Sequence, residues 1–367
     1  MEQTLIVTIT KGTCSALFAY DIGLSIKLDE AERHISAIKQ RSRIRHKRRA
    51  PHYFDYRPAP LRVTQGVEPL MLADFRTATS VDVVIYDFGA VSVIYSIPFE
   101  GPLSRLLDLS QVLYENVILL ADSRQRVEDL QSAIGGMVER PKISEYVEDY
   151  LIFQIDAPPP AEPQRYFEHI AGILRSEENV LSEQEVRDAT SCWLSFGRND
   201  AAIIDWNASL LFGNDMEDVQ AVLEFANVEL LEMRYLDQQL DDALDQAYEA
   251  LSKGMGSRIR GPGSLEADLR QIAQLQVDSA IIFERVTNTL KLIGDQYLAR
   301  VYRLASERFH LEAWDAGIIR KLETLDSIYG KMADRASARR MEILEWIIIM
   351  LIAVSITISL LPGLSGH

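Results

Sequence analysis

The chain has 367 residues, of which 47% are hydrophobic, and its formal net charge is −16. This length predicts two folded domains with sizeable cores, and the hydrophobic content excludes an intrinsically disordered chain. The acidic balance disfavours nonspecific nucleic-acid binding by the chain as a whole. The two cysteines, Cys14 and Cys192, form neither a CxxC motif nor a disulfide framework, which favours a reducing compartment.

Residues 1–156 predict an α+β domain whose elements follow the order strand, helix, hairpin, helix, strand. The predicted elements are strands at Leu5–Ile9 and Ala16–Tyr20, a helix at Leu28–Gln40, hairpin strands at Val81–Tyr86 and Val91–Ile97, a helix at Leu103–Ile134 and a strand at Tyr146–Ile155. This order is typical of a split βαβ domain of the ferredoxin-like kind.

A proline-rich stretch at residues 157–163 predicts a linker after this domain. Residues 164–215 then contain one helical pattern and three short strand patterns, at 192–196, 201–206 and 209–212. They predict a small mixed second domain.

Residues 216–334 predict a long helical hairpin or coiled coil, because apolar residues recur at spacings of four and three. The first stripe is broken at Asp237, and the ladder from Leu265 to Met332 has five polar slots. These slots are Gln276, Ser279, Arg300, Glu307 and Lys321. A mean period of 3.5 predicts left-handed coiled-coil packing and a homo-oligomer. We expect a break near Gly294 or between Ser306 and Gly317.

The last segment, residues 335–364, predicts a single transmembrane helix. No charge occurs from Trp346 onward, and a bilayer core needs about 20 apolar residues, with about 17 at the short end. Trp346 suits the membrane interface, and Arg335, Arg339 and Arg340 precede it. The positive-inside rule then predicts a protein of the inner (plasma) membrane, with a cytoplasmic soluble part and the C-terminus outside. The alternative is a buried core helix.

A basic arm, defined as residues 39–49, carries seven cations and no acid. These cations are Lys39, Arg41, Arg43, Arg45, Lys47, Arg48 and Arg49. An extended arm would place alternate cations on one side, which suits phosphates of RNA, of the ribosome or of anionic lipids. The alternatives are that the arm docks on the acidic helix predicted at 216–253, or that it is solvated.

No catalytic motif is recognisable in the sequence. The six histidines are scattered, and the chain contains no GxGxxG, P-loop or GxSxG pattern. The sequence therefore predicts no catalytic residue, no cofactor and no metal site. Two acidic clusters are interpreted as solvated faces rather than metal sites: Glu145, Glu148 and Asp149, and Glu229, Glu232 and Asp237.

Three stretches carry a family resemblance: RRMEILEWIII at 339–349, IDWNA at 204–208 and EFANVELLEMRY at 224–235. They resemble the required-for-meiotic-nuclear-division family, also known by its YagE-type domain of unknown function. Residues 83–95 fit it more loosely. The resemblance implies no established enzymatic activity. It implies inner-membrane support of organellar translation for mitochondrial members, and roles in nuclear division and the cytoskeleton for fungal ones.

No arginine-rich presequence precedes the first domain, so we expect a bacterial plasma-membrane member. The sequence thus predicts a non-enzymatic, membrane-tethered scaffold that oligomerises through its coiled coil and holds a cytoplasmic partner, such as translation machinery or RNA. The alternative is an enzyme with an unrecognised active site in the α+β domains.

Overall fold

The computed structural model describes residues 8–39, 58–256 and 296–360, together with residues 270, 273, 274, 277 and 280. These residues fall into two compact units. The first unit holds the described residues up to Leu236 and from Gln296 to Asp315. The second holds those from Asp237 to Ala280 and from Ala316 onward.

Eight strands of the first unit form one mixed sheet. They are β1 (Thr8–Asp21), β3 (Leu61–Gly66), β6 (Ser80–Ile85), β7 (Ala90–Pro102), β9 (Glu148–Ile155), β10 (Trp193–Leu194), β11 (Ala201–Ile204) and β12 (Ala208–Phe212). Their spatial order is β10-β11-β12-β9-β1-β7-β6-β3. All neighbours are antiparallel except β12 and β9, which are parallel.

Two smaller pairs lie outside this sheet: β2 (Ser25–Ile26) with β8 (Val138–Glu139), and β4 (Met71–Leu72) with β5 (Phe75–Arg76). The hairpin between β6 and β7 turns at Gly89, whose φ of 108° favours glycine. An added Cβ there would lie 1.7 Å from the Gly23 carbonyl oxygen. The sequence pattern predicted this hairpin, and the structure confirms it.

Eight helices are described. They are α1 (Leu28–Lys39), α2 (Ser104–Leu113), α3 (Val117–Ile134), α4 (Phe167–Arg175), α5 (Glu183–Ala189), α6 (Glu217–Gly256), α7 (Gln296–Arg308) and α8 (Leu311–Leu360). The predicted continuous helix at 103–134 is two helices. Glu115 has a φ of 48°, and the Asn116 side chain accepts hydrogen bonds from the backbone N–H groups of Ile118 and Leu119. This cap starts α3 as a separate helix.

The two faces of the sheet differ in what covers them. On one face, Phe18 of β1 and Phe153 of β9 join the main apolar core, where α2 and α3 contact β7 and α4 contacts β12. On the other face, Ser15 and Leu17 line a small cavity of about 230 Å³ together with Glu224 of α6. This division follows from the alternation of side chains along β1.

Polar contacts join α6 to that second face. Glu224 accepts hydrogen bonds from Arg62 of β3, at 2.6 Å, and from the Tyr86 hydroxyl, at 3.1 Å. The Asn227 side chain donates to the Glu148 carbonyl oxygen at 3.2 Å. The first twenty residues of α6 are thereby held on the sheet.

The predicted fold class is wrong in its division into domains. The segment predicted as a split βαβ domain supplies only part of the sheet. Strands β10, β11 and β12, expected in a small second domain, complete the same sheet because β12 pairs with β9 from Ala208↔Leu151 to Phe212↔Ile155. The first unit is a mixed α/β structure built on one eight-stranded sheet.

The predicted transmembrane helix is also contradicted. Within the described ranges, no helix combines the length and the apolar character that crossing a membrane requires. The membrane location and the membrane-tethered scaffold rested on this helix and lose their support with it.

The predicted coiled-coil ladder is interrupted between α7 and α8. Helix α7 ends at Arg308 and α8 begins at Leu311, with a φ of 56° at His310. The break therefore lies between Ser306 and Gly317, which is one of the two positions predicted from the sequence. The ladder positions from 265 to 293, which include the polar slots Gln276 and Ser279, lie outside the described residues.

An ion pair explains why two charged residues interrupt the apolar stripes of the second unit. The Lys321 ammonium lies 2.7 Å from an Asp237 carboxylate oxygen and 2.6 Å from one of Asp241. Lys321 is a polar slot of the ladder, and Asp237 is the break in the α6 stripe. Leu240 of α6, close in sequence to Asp237, and Ile318 of α8, close in sequence to Lys321, are both buried. The two charged residues that interrupt the apolar stripes thus compensate each other's charge.

We expect Lys321→Met to lower the free energy of unfolding by about 1–2 kcal/mol, because it leaves Asp237 partly buried without its cation. The double variant Lys321→Met/Asp237→Leu should recover most of this loss. Urea denaturation measures both, with Lys331→Met, an exposed lysine of the same helix, as the control. Additive losses in the double variant would contradict the pairing.

Candidate functional site

A tight turn between β11 and β12 forms the centre of the candidate site. Its residues are Asp205, Trp206 and Asn207. The Asp205 backbone N–H donates to the Ala208 carbonyl at 2.9 Å, and the Trp206 N–H donates to an Asp205 carboxylate oxygen at 2.8 Å. Asp205 is completely buried, whereas Trp206 is 51% exposed. The turn thus hides a carboxylate and presents an indole ring.

Two arginines hold the Asp205 carboxylate. Nε of Arg175 donates to one oxygen at 2.6 Å, and Nε of Arg308 donates to the other at 2.5 Å. Each arginine is the last residue of its helix, α4 or α7, where the helix dipole favours a cation. A buried carboxylate is costly without partners, and these two contacts supply Asp205 with a cation at each oxygen.

Outer carboxylates complete this arrangement. Asp188 accepts hydrogen bonds at 2.7 Å from both Arg175 and Arg308, and Glu185 accepts one at 3.0 Å from Arg175. The hydrogen bond from Arg308, followed by the contacts with Arg175, lowers the pKa of Asp188 to about 2. We call these five residues the arginine network. Its three carboxylates and two guanidinium groups leave one net negative charge.

A cavity of about 680 Å³ lies against the turn and the arginine network, and we call it the turn pocket. Three of its aromatic residues are Tyr114, Trp206 and Trp314. Its charged residues are Glu115, Glu148, Asp149, Arg175, Asp188, Arg234 and Arg308. These residues lie between positions 114 and 314 of the sequence, and all of them belong to the first unit.

Residues of β9 and α6 form another part of the lining of the turn pocket. Arg234 donates to a Glu148 carboxylate oxygen at 2.5 Å. Burial raises the pKa of Glu148 to about 7, although Arg234 acts in the opposite direction. Burial also raises the pKa of the neighbouring Asp149, and the negative charge of Glu115 adds to this increase.

Phe309 fixes the short segment between α7 and α8 at this pocket. Its ring lies edge-on to Tyr150, with centroids 5.2 Å apart. The Tyr150 hydroxyl in turn donates to the Asp205 carbonyl oxygen at 3.0 Å. The strand β9, the turn and the start of α8 are therefore linked through one pair of aromatic rings.

The acids of α6 that were interpreted as a solvated face are mostly buried. Glu229 accepts a hydrogen bond from the Tyr302 hydroxyl at 2.6 Å, and burial raises its pKa to about 8. Glu232 is 1% exposed, and neither of its carboxylate oxygens has a hydrogen-bond partner. Over the described residues, no group of three or more His, Cys, Asp or Glu side chains could hold a metal ion.

A second buried acid accompanies Glu232. Asp21, at the end of β1, is 3% exposed, and its negative charge raises the pKa of Glu232 further after the effect of burial. Burial raises the pKa of Asp21 as well, while the Gly23 N–H and the charge of Lys142 act against this. The uncompensated position of Glu232 favours its protonated form in the fold.

The residues proposed from sequence lie elsewhere. Lys39 is the last residue of α1, and the other cations of the basic arm lie outside the described residues. Arg335, Arg339 and Arg340 belong to α8, as does Trp346, which is 64% exposed. None of those that the structure describes lines the turn pocket. The signal that could have located it is the IDWNA stretch, which holds the turn itself.

The protonation of Glu232 predicts a specific pH dependence of stability. A raised pKa in the fold stabilises the protein below the ordinary carboxyl value of 4.5, and this contribution is lost as the pH rises above it. Glu232→Gln mimics the protonated acid. We expect it to melt like the parent at pH 4.5 and at a higher temperature at pH 8.

Calorimetric melting between these two pH values measures the difference. Glu178→Gln serves as the control, since Glu178 is exposed and its substitution should follow the parent at every pH. A Glu232→Gln variant that melts below the parent at pH 8 would contradict a protonated Glu232.

Two comparisons with known proteins bear on this site. Residues 11–218 match the family described as "Uncharacterized protein MJ0711, N-terminal domain". The chain is also 22% identical, over 190 residues, to the uncharacterized protein MJ0711 of Methanocaldococcus jannaschii. That alignment covers 51% of this chain and 58% of the archaeal protein. The matched family region contains Arg175, Asp188 and the turn, and it ends before Arg234 and Arg308.

Proposed function

We propose that this chain, which belongs to the family of the N-terminal domain of uncharacterized protein MJ0711, binds a small ligand in the turn pocket. The observation that carries the proposal is the buried Asp205 carboxylate, which fixes two arginines in the wall of a 680 Å³ cavity. Buried ion pairs contribute little net stability, so such a network beside a cavity is better explained by recognition.

We propose binding rather than catalysis. Among the described residues that line the turn pocket, there is no serine, threonine or cysteine that could act as a nucleophile beside a base. The arginines of the pocket already contact carboxylates, so they are not available to stabilise a developing negative charge. A fixed lining whose arginines are already paired supports selection of a ligand by shape and charge.

The finer family assignment also belongs to this proposal. Two of the stretches that resemble the required-for-meiotic-nuclear-division family hold residues of the site. The IDWNA stretch forms the turn, and the stretch at 224–235 contains Arg234 of the pocket wall. This coincidence supports the view that the resemblance reflects the pocket, and we propose membership of that family on this ground.

Two partners predicted from sequence stay predictions. Polyanion binding by the basic arm concerns residues 40–49, which lie outside the described residues, and Lys39 at the end of α1. RNA, the ribosome or an anionic lipid remain its candidate partners, and salt dependence of binding would test the prediction. The homo-oligomer predicted from the heptad ladder is likewise a proposal, and light scattering would test it.

The pocket proposal is tested by thermal shift with a panel of amino acids, nucleosides, nucleotides, amines, organic acids and sugars. A ligand at 100 times its Kd stabilises by about 2.7 kcal/mol, which corresponds to about 5–10 °C for a unit of this size. We expect at least one class of compound to raise the melting temperature, and we expect Trp206→Ala to abolish that increase.

Tyr248→Ala is the matched control, since Tyr248 lies outside the pocket and is 52% exposed, compared with 51% for Trp206. The response should survive in this variant. No response to any compound in the parent protein, or an equal response in Trp206→Ala, would contradict a ligand site at the turn.

A further inference from the structure

The aromatic lining of the turn pocket indicates which ligands it can take, and this inference rests on the proposed function. Trp206 is 51% exposed and Tyr114 is 49% exposed, and Trp314 lines the same cavity. Aromatic rings that share one cavity offer it a large apolar surface that a ligand can cover. Their faces carry negative partial charge and attract cations.

The arginines of the pocket do not offer a site for an anion. Arg234 contacts Glu148 at 2.5 Å, and Arg175 and Arg308 each contact Asp188 at 2.7 Å and the buried Asp205. A phosphate or carboxylate ligand would have to displace one of these carboxylates and leave it without a cation. This substitution is unfavourable at Asp205, which is completely buried.

Two carboxylates of the pocket have a different position. Glu115 and Asp149 both line the cavity and are exposed to solvent there, and no ion pair is formed by either with a cation among the described residues. Arg234 lowers the pKa of Asp149 only in part, because burial and the charge of Glu115 prevail and raise it. The two acids repel each other across the cavity, and a positive charge between the walls would relieve that repulsion.

The backbone at Glu115 supports a positioned side chain. Glu115 has a φ of 48°, a conformation that non-glycine residues rarely adopt, at the junction of α2 and α3. The Asn116 cap holds this junction through two hydrogen bonds, at 3.1 and 3.0 Å. Asp149 lies within β9, paired with Phe18 of β1. Both acids are therefore carried by well-defined backbone.

We propose that the turn pocket binds a small organic cation, recognised by Glu115 and Asp149 together with the aromatic faces of Trp206, Trp314 and Tyr114. The ligand class is a primary amine, a guanidinium or a quaternary ammonium compound of low molecular weight. Its charge neutralises the two repelling acids, and its apolar part covers the exposed rings. The arginine network shapes the wall and keeps anions out.

The experiment is isothermal titration calorimetry of the full chain with choline, agmatine and putrescine. The neutral compound 3,3-dimethylbutanol matches choline in shape without the charge, and ADP serves as the anionic probe. We expect at least one cation to bind, and we expect 3,3-dimethylbutanol and ADP not to bind. A charge-assisted contact is equivalent to about a 10–100-fold change in Kd. The double variant Glu115→Gln/Asp149→Asn should weaken binding by at least this factor.

Asp108→Asn is the matched control, because Asp108 is an exposed acid of α2 outside the pocket, and this variant should bind like the parent. Melting of the unliganded double variant gives a second measurement. Relief of the repulsion between Glu115 and Asp149 should leave its melting temperature equal to the parent's or raise it. A merely structural role for these acids would lower it.

The outcomes separate this inference from the proposed function. If a neutral or anionic compound binds in a way that Trp206→Ala abolishes, and no cation binds, the cation proposal is wrong and the pocket proposal stands. If cation binding is unchanged in the double variant, the cation binds elsewhere and the inference is overturned. If no compound binds, both proposals fail together.

Discussion

The arrangement of the first unit depends on the Asp205 carboxylate. It lies in a turn between two short strands. Its two oxygens accept hydrogen bonds from Arg175 and Arg308, which are the last residues of α4 and α7. The backbone carbonyl oxygen of Asp205 accepts a hydrogen bond from the hydroxyl group of Tyr150 in β9. Loss of either arginine would leave one oxygen of this completely buried carboxylate without its cation, which is costly. One small side chain therefore fixes two helix ends against the sheet and places the walls of the turn pocket.

The acids of α6 show three ways of accommodating a buried carboxyl group. Glu224 contacts a cation, Arg62, and Glu229 accepts a hydrogen bond from a hydroxyl, that of Tyr302. Glu232 has neither, and it is accommodated by remaining protonated beside Asp21. One helix therefore buries three carboxyl groups in three different ways.

Local patterns were sufficient for single elements and insufficient for their assembly. The strand pattern predicted the β6–β7 hairpin, the 4-3 spacing predicted α6, and the break between α7 and α8 was one of two expected positions. The parallel pairing of β12 with β9 joins residues 208–212 to residues 151–155 across a proline-rich stretch, and no local pattern records it. The turn pocket was missed for the same reason, since Tyr114 and Trp314 are 200 positions apart in the sequence and adjoin one cavity. Glu229 and Glu232 were misinterpreted because sequence spacing shows a helix face but not whether other elements cover it.

Polar residues that interrupt an apolar pattern carried more information than the pattern itself. Asp237 breaks one stripe and Lys321 breaks another, and the structure joins them in an ion pair at 2.7 Å. Each residue alone would be an unfavourable charge among apolar neighbours, but an acid and a base that interrupt two stripes can compensate each other. The same reasoning applies to Asp205 in a turn flanked by buried strands: an isolated acid at such a position requires cations from elsewhere in the chain. Where those cations are already paired, as Arg175 and Arg308 are, the acids left over near them, Glu115 and Asp149, define the charge that a ligand must bring.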